Sequence, residues 1–373
     1  MTEQGMTPKE RWLAVLNREI PDHLPMDYWG TPETTQSLLN YLGCSNIWEM
    51  FEALHIDGVC AVEPEYIGPK LIPNHDVYGC GYEDVVYGGG TYQECVFHPL
   101  SDFQSVYEIE EHYSWPIPDL FDYSVIPDQI KGKEAHPIRG GGSEPFFRYT
   151  QLRGHTQAYR DLIKNPDIAH YCLEKLFYFH YEDTKRIYEE IPGQVTFSYI
   201  AEDFGGQNGL LFSPQMIAEY FLNGMKQMVE LAHENDVYAF CHSDGAIREI
   251  IPELLDIDID ILNPVQWRCA GMNREGLKAD FGDRVVFHGG MDNQQTLAFG
   301  SLADIRAEVK YNLEVMGKGG GYILAPCHNI QAISPPGNIV AMYEAGYRYG
   351  RLEQKTMVRG SRHSVDLFSQ KRW

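Results

Sequence analysis

Short apolar, β-branched runs alternate along this chain with longer stretches whose apolar positions recur every three or four residues. The first pattern predicts strands and the second amphipathic helices. Thr7-Pro8-Lys9-Glu10 reads as a capping box with proline in the first turn, opening a helix through Trp12, Leu13 and Leu16. Leu24–Trp29 and Gly58–Glu63 follow as strands, separated by a helix around Trp48–Leu54. His136–Gly140, Val195–Ile200, Val237–Cys241, Ile259–Leu262, Val285–His288 and Tyr322–Ala325 read as six more. The intervening helices are marked by Ser213-Pro214, by Ala246–Leu255 with a kink expected at Pro252, by Ser301 and by Ser334-Pro335.

Eight strands alternating with helices predict a single (β/α)8 TIM barrel over residues 1–373. Residues 64–135 break the rhythm: they are rich in Tyr, Gly and Pro, with a glycine run at Gly88-Gly89-Gly90, and read as an irregular insertion near the barrel mouth. A short polar tail is expected over 351–373.

Charge narrows the partners. A formal net charge of −23 disfavours nucleic acid, anionic membranes and polyanionic substrates, and accommodates a cation, a neutral aromatic or another protein. The polar, acidic start and the short apolar runs predict no secretory signal and no spanning helix, hence a cytoplasmic protein. The eight scattered cysteines form no Cys-x-x-Cys pair, so most are expected as small buried apolar residues.

In a barrel of this kind the residues just after each strand converge on one face, where chemistry sits. Here they are Glu202 and Asp203; His242, Ser243 and Asp244; Asn263 and Gln266; His288; and Cys327 and His328. His, Cys and carboxylates from separate loops suit a borderline-soft metal, zinc foremost, with His242 and Cys327 as ligands and Asp244 or Glu202 completing the set. The alternative is a hydrogen-bonded catalytic or structural His242 and a packed Cys327 thiol. Tyr28, Trp29, Phe146, Phe147 and Trp267 offer aromatic faces for a planar substrate, although core packing is the commoner use. Arg148 and Arg153 could meet a substrate carboxylate, with surface ion pairs as the default reading. Gly319-Gly320-Gly321 precedes a strand and so reads as a turn, not a phosphate loop.

At these strand ends the chain resembles the uroporphyrinogen decarboxylase-like superfamily. The resemblance runs through ERWLAVLNREIPDHLPMDYWG near the start, EDFGGQNGLLFSPQMIAEYF, CHSDGAIREIIPELLDIDIDILNPVQ, FGDRVVFHGGMDNQQTLAFG and GGGYILAPCHNIQAISPPGNIVAMYEAGYRYG. It implies a barrel, commonly dimeric, and here a homodimer. True decarboxylases carry an arginine-rich segment near the start, whereas residues 25–30 here hold no arginine. The corrinoid-dependent methyltransferase branch holds zinc through a His-x-Cys pair and a later Cys. His242 and Cys327 match, and Asp244 stands where the first cysteine is expected.

The resemblance therefore implies a methyltransferase. It would take a methyl group from a methoxylated, aromatic or other methylated small molecule and pass it to the Co(I) corrinoid (cobalamin) of a partner protein, with zinc activating the leaving heteroatom. Glu202, Asp203 and His242 would act in catalysis. Tyr28, Trp29, Phe146, Arg148, Asn263, Gln266, His288 and His328 would contact substrate, and His242, Asp244 and Cys327 the metal. The competing expectation is a metal-free decarboxylase or lyase acting on a smaller acid, with Asp203 and His242 handling protons.

Overall fold

A computed structural model describes residues 5–87 and 90–351. Seven strands form one parallel sheet in chain order: Cys60–Val62, Ile138–Ser143, Phe197–Ala201, Tyr238–His242, Ile261–Asn263, Val286–Met291 and Tyr322–Pro326. Residues 24–30 fill the eighth place. Leu324 N–H donates to Pro25 O at 3.0 Å and Asp27 N–H to Leu324 O at 2.9 Å, while Asp57 N–H reaches Met26 O at 3.0 Å. The sheet thereby curls into the (β/α)8 ring that the alternating pattern predicts.

Local chemistry sets the helices where the caps place them. Thr7 Oγ1 accepts from Glu10 N–H while the Glu10 carboxylate accepts from Thr7 N–H, and Ser301 makes the same reciprocal cap with Asp304. The helix Pro8–Leu16 turns Trp12 onto the end of the barrel remote from the strand C-termini, where its ring stacks on Phe197 at 5.2 Å. Val15, Leu16, Phe240, Ile261, Val286 and Ile323 complete that plug. Dry packing at this end leaves the opposite rim for chemistry.

Two expectations are corrected in detail. Ala246–Leu255 is not one kinked helix, because a 3₁₀ turn at Arg248–Ile250 precedes an α-helix Ile251–Asp256 with Pro252 in its first turn, where the missing N–H costs nothing. The helix opened by Ser213 carries a π-turn at Ala218–Leu222 between Pro214–Ile217 and Asn223–Glu234.

The long connection from Val62 to Ile138 contains an antiparallel hairpin, Gly81–Tyr87 with Gly90–Phe97, and a helix Val106–His112. Gly88, Gly89 and the predicted tail beyond Arg351 lie outside the described residues. The connection is tied to the helix Pro145–Arg153, through Leu100 N–H to Leu152 O at 2.9 Å and through Arg148 to Asp76 at 2.6 Å. Gly140-Gly141-Gly142 lies inside the strand Ile138–Ser143, at a register irregularity. A side chain on Gly142 would stand 2.0 Å from Tyr199 O, so only glycine fits. Gly319, Gly320 and Gly321 all have positive φ and make the expected turn before Tyr322. No helix among the described residues is long and apolar enough to cross a membrane.

Candidate functional site

The two loops that follow Phe197–Ala201 and Tyr238–His242 are pressed together backbone to backbone. A Cβ on Gly205 would lie 2.6 Å from Asp244 O, and one on Gly245 (φ 88°) 2.4 Å from Gly205 C. Two hydrogen bonds cross this contact, Phe204 N–H to Ser243 Oγ at 3.0 Å and Ala246 N–H to Gly206 O at 2.8 Å, and Gln266 Oε1, from the loop after Ile261–Asn263, braces it by accepting from Gly245 N–H at 2.6 Å. Asp203 and Asp244 are thereby brought side by side, with Asp244 N–H donating to Asp203 Oδ1 at 3.0 Å.

His242, the last residue of its strand, points its Nε2 between them. It lies 3.7 Å from Asp203 Oδ1 and 3.9 Å from Asp244 Oδ1. One ligand-type atom from each of the three lies within 4.8 Å of the others, and no other such group occurs among the described residues. Asp244 Oδ1 is buried with no hydrogen-bond partner. Burial pushes the Asp244 carboxyl up, and the His242 and His328 rings oppose it. An orphaned carboxylate oxygen facing an imidazole nitrogen and a second carboxylate is a fitting donor set for a divalent cation.

The cluster opens into a cavity of about 730 Å³. Its wall carries Glu144, Glu202, Asp203 and Asp244, the aromatic rings of Phe146, Phe147, Tyr159 and Phe299, and the amides of Gln207, Gln266 and Gln331. Among the described residues lining it there is no lysine or arginine. Burial, with repulsion from Asp203, pushes the Glu144 carboxyl from 4.5 up to about 7. Glu202 is 2% exposed, and burial raises it well above the usual carboxylate range against the pull of the Phe146 N–H it accepts from at 3.0 Å.

Glu144 gives a pH signature. Its folded value lies above its unfolded one, so its acid form stabilises the fold below about pH 4.5, and that contribution is lost as pH rises through about 7. Glu144→Gln removes the titration. Urea unfolding should find the variant gaining about 2–3 kcal/mol on wild type between pH 4.5 and pH 8. An equal difference between the two proteins at both pH values would contradict the assignment.

The other residues singled out in the sequence divide. Gln266 braces Gly245 and lines the cavity. His328 Nε2 stands 3.6 Å from Asp244 Oδ2 and also lines it. Phe146 contributes to the wall from within a cluster with Phe212 and Phe221, at 5.2 and 5.5 Å. Arg148 is absent from this lining, because its guanidinium binds Asp76 at 2.6 Å, Gln151 at 2.6 Å and the Tyr82 hydroxyl at 3.1 Å. Tyr28 and Trp29 line a separate cavity of about 440 Å³ with Tyr199 and Arg139. The Trp29 ring also lies 5.8 Å from that of His242. Asn263 and His288 are fully buried inside the barrel, below His242.

Cys327, expected as a ligand, stands outside the three-residue group. Its Sγ–H donates to Val265 O at 3.1 Å, and burial pushes the thiol well above its ordinary value. The sequence pattern passed over Asp27, Arg139 and Tyr199. Glu144 was within reach of the strand-end rule, since it directly follows Ser143.

The sequence model of the uroporphyrinogen decarboxylase (URO-D) family matches residues 126–349, more than half of the chain. The chain belongs to the uroporphyrinogen decarboxylase family. Curated relatives include the uroporphyrinogen decarboxylase of Pseudomonas paraeruginosa (strain DSM 24068 / PA7), 27% identical over 221 residues, which cover 57% of this chain and 54% of that protein. The uroporphyrinogen decarboxylase of Pseudomonas aeruginosa (strain LESB58) is 26% identical over the same length. The chain spans about half the length of the curated relatives it matches. Among solved structures, a methyltransferase from Methanosarcina mazei superposes with a TM-score of 0.66 over 92% of this chain and 99% of that one, at 18% identity. At that identity the likeness speaks for the family's barrel fold.

Proposed function

We propose that this member of the uroporphyrinogen decarboxylase family is a methyltransferase. It takes a methyl group from a methylated small molecule, a methoxylated aromatic compound in the first instance, and passes it to the corrinoid of a partner protein. The observation that carries the reading is the convergence of Asp203, His242 and the orphaned Asp244 Oδ1 on one point, beside a cavity with no lysine or arginine among its described lining residues. A polycarboxylate would meet four acidic side chains and no guanidinium there, which argues against the reaction the family is named for.

Asp203, His242 and Asp244 would hold a divalent metal of the zinc class. Bound there, it supplies Lewis acidity to the heteroatom that keeps the electron pair as the methyl group departs. The chain's own residues do the rest. Gln266, already fixed by Gly245 N–H, and Gln207 present amides to a substrate without adding charge. Glu144, with its value near 7, can deliver a proton to a departing alkoxide. Phe147, Leu211, Phe299 and Ile333 are all half or more exposed around the mouth, an apolar rim suited to a docked partner.

Two measurements test this. Elemental analysis of protein purified without chelators should find about one zinc-class metal per chain in wild type and in Cys327→Ala, and almost none in His242→Ala. Supplied with methoxyarenes and a reduced corrinoid protein, wild type should convert the cobalt spectrum to the methylated form. Metal-free wild type that releases carbon dioxide from small acids would replace this reading with the decarboxylase one.

A further inference from the structure

Four buried side chains run in file through the barrel interior to the site. Asp27 Oδ2 lies 3.0 Å from His288 Nε2, His288 Nδ1 lies 2.7 Å from Asn263 Nδ2, and Asn263 Oδ1 lies 2.5 Å from His242 Nδ1. Exposure along this file is 3% at Asp27, 0% at His288, 1% at Asn263 and 5% at His242, so protein atoms alone must satisfy its links.

We propose that Asp27 acts through His288 and Asn263 to fix which ring nitrogen of His242 bears the proton, leaving Nε2 as a bare lone pair toward Asp203 and Asp244. The direction follows from donor and acceptor capacity. A carboxylate only accepts, and Asp27 already accepts from Tyr28 N–H at 2.8 Å and from Trp29 Nε1–H at 2.9 Å. His288 must therefore carry a proton on Nε2, and the Asn263 Nδ2 that faces its Nδ1 at 2.7 Å makes that second nitrogen the acceptor. That acceptor turns the Asn263 amide so that its NH₂ faces His288 and its carbonyl faces His242. A carbonyl 2.5 Å from His242 Nδ1 requires a proton there, which leaves Nε2 free. The reversed file would set the carboxylate against a bare Nε2, two acceptors in contact with no water to intervene. Asp27, His288 and Asn263 are thus positioning residues, and His288 and Asn263 leave the substrate-contact role expected for them.

The inference concerns the site of the proposed function, yet it stands whether or not metal binds, so it is read first in metal-free protein. Full-length chain labelled with ¹⁵N-histidine, with the His242 signals assigned by their loss in His242→Asn, should show Nδ1 protonated and Nε2 bare in a long-range ¹H–¹⁵N spectrum. In Asp27→Asn the amide can either donate or accept, so both directions become available, and His242 should show a mixture of tautomers. Zinc affinity, measured against a chromophoric chelator, should fall about 10–100-fold in Asp27→Asn and in Asn263→Ala. His242 protonated on Nε2 in wild type, or unchanged tautomer in Asp27→Asn, overturns the proposal. A wild type with the expected tautomer but no zinc binding would instead sink the metal reading and leave this one standing.

Discussion

His242→Ala should lower turnover by about 10³-fold or more and Asp244→Asn by more than about 10²-fold, with the metal lost in both and the fold kept. His242 supplies the one nitrogen of the cluster, and nothing nearby replaces it: His328 stands on the far oxygen of Asp244, 3.6 Å from Oδ2. Asp244→Asn preserves shape and loop contacts, which run through the backbone at Asp244 N and Gly245 N, so the fold should tolerate it. What changes is charge at an oxygen that has no hydrogen-bond partner to lose. Removing a partner behind a ligand costs about 10–100-fold, and removing the ligand itself should cost more. Steady-state rates and metal content measured on the same preparations decide the matter. Asp244→Asn with full metal and turnover within about threefold of wild type would remove Asp244 from the ligand set.

The ring of strands and the rim were legible because both follow from short-range patterns. A capping box at Thr7, a cap at Ser301, and apolar runs ending in polar clusters place Glu202, Asp203, His242 and Asp244 at strand ends, where the fold gathers them. What stayed hidden depends on side-chain direction. The glycine pair Gly289-Gly290 reads as the end of a strand, which would leave His288 at the rim. In the structure the strand continues to Met291, with Gly289 and Gly290 at φ 115° and 90° and still in parallel register with Leu324 and Ala325. His288 is therefore mid-strand and points into the barrel. Asn263 is the last residue of Ile261–Asn263 and points inward beside it.

Cys327 shows the same limit. Its place after Tyr322–Pro326 is what the pattern predicts, but spacing does not say where Sγ points, and the carbonyl of Val265 accepts its proton. Arg153 is a larger departure. A surface ion pair was the default expectation, whereas the guanidinium is 1% exposed. Nothing in the spacing from Arg153 to Asp161 tells a buried pair from an exposed one, because the covering layer is the connection between Val62 and Ile138, far away in sequence.

That burial makes Arg153→Ala the substitution with the largest expected cost to stability, about 3–5 kcal/mol. Arg153 Nε donates to Asp161 Oδ2 at 2.7 Å, and Nη1 donates to Phe103 O at 2.7 Å and to Leu100 O. One side chain therefore joins the helix Pro145–Arg153, the helix His155–Lys164 and the long connection. Burial would push the Asp161 carboxyl up, but Arg153, Asn165, Tyr149 and Gln157 hold it below its ordinary value. Truncation leaves that carboxylate buried with neutral donors only and takes one donor each from two backbone carbonyls, a heavier loss than the pair's net worth. Arg153→Met combined with Asp161→Leu removes both charges, so it should unfold at a higher urea concentration than Arg153→Ala alone. The damage should reach the site, because the same helix carries the Phe146 N–H that holds Glu202 and the Phe147 and Thr150 side chains of the cavity wall. If Arg153→Ala costs less than about 1 kcal/mol in urea unfolding, the pair is no more than a surface bridge and the connection must be anchored elsewhere.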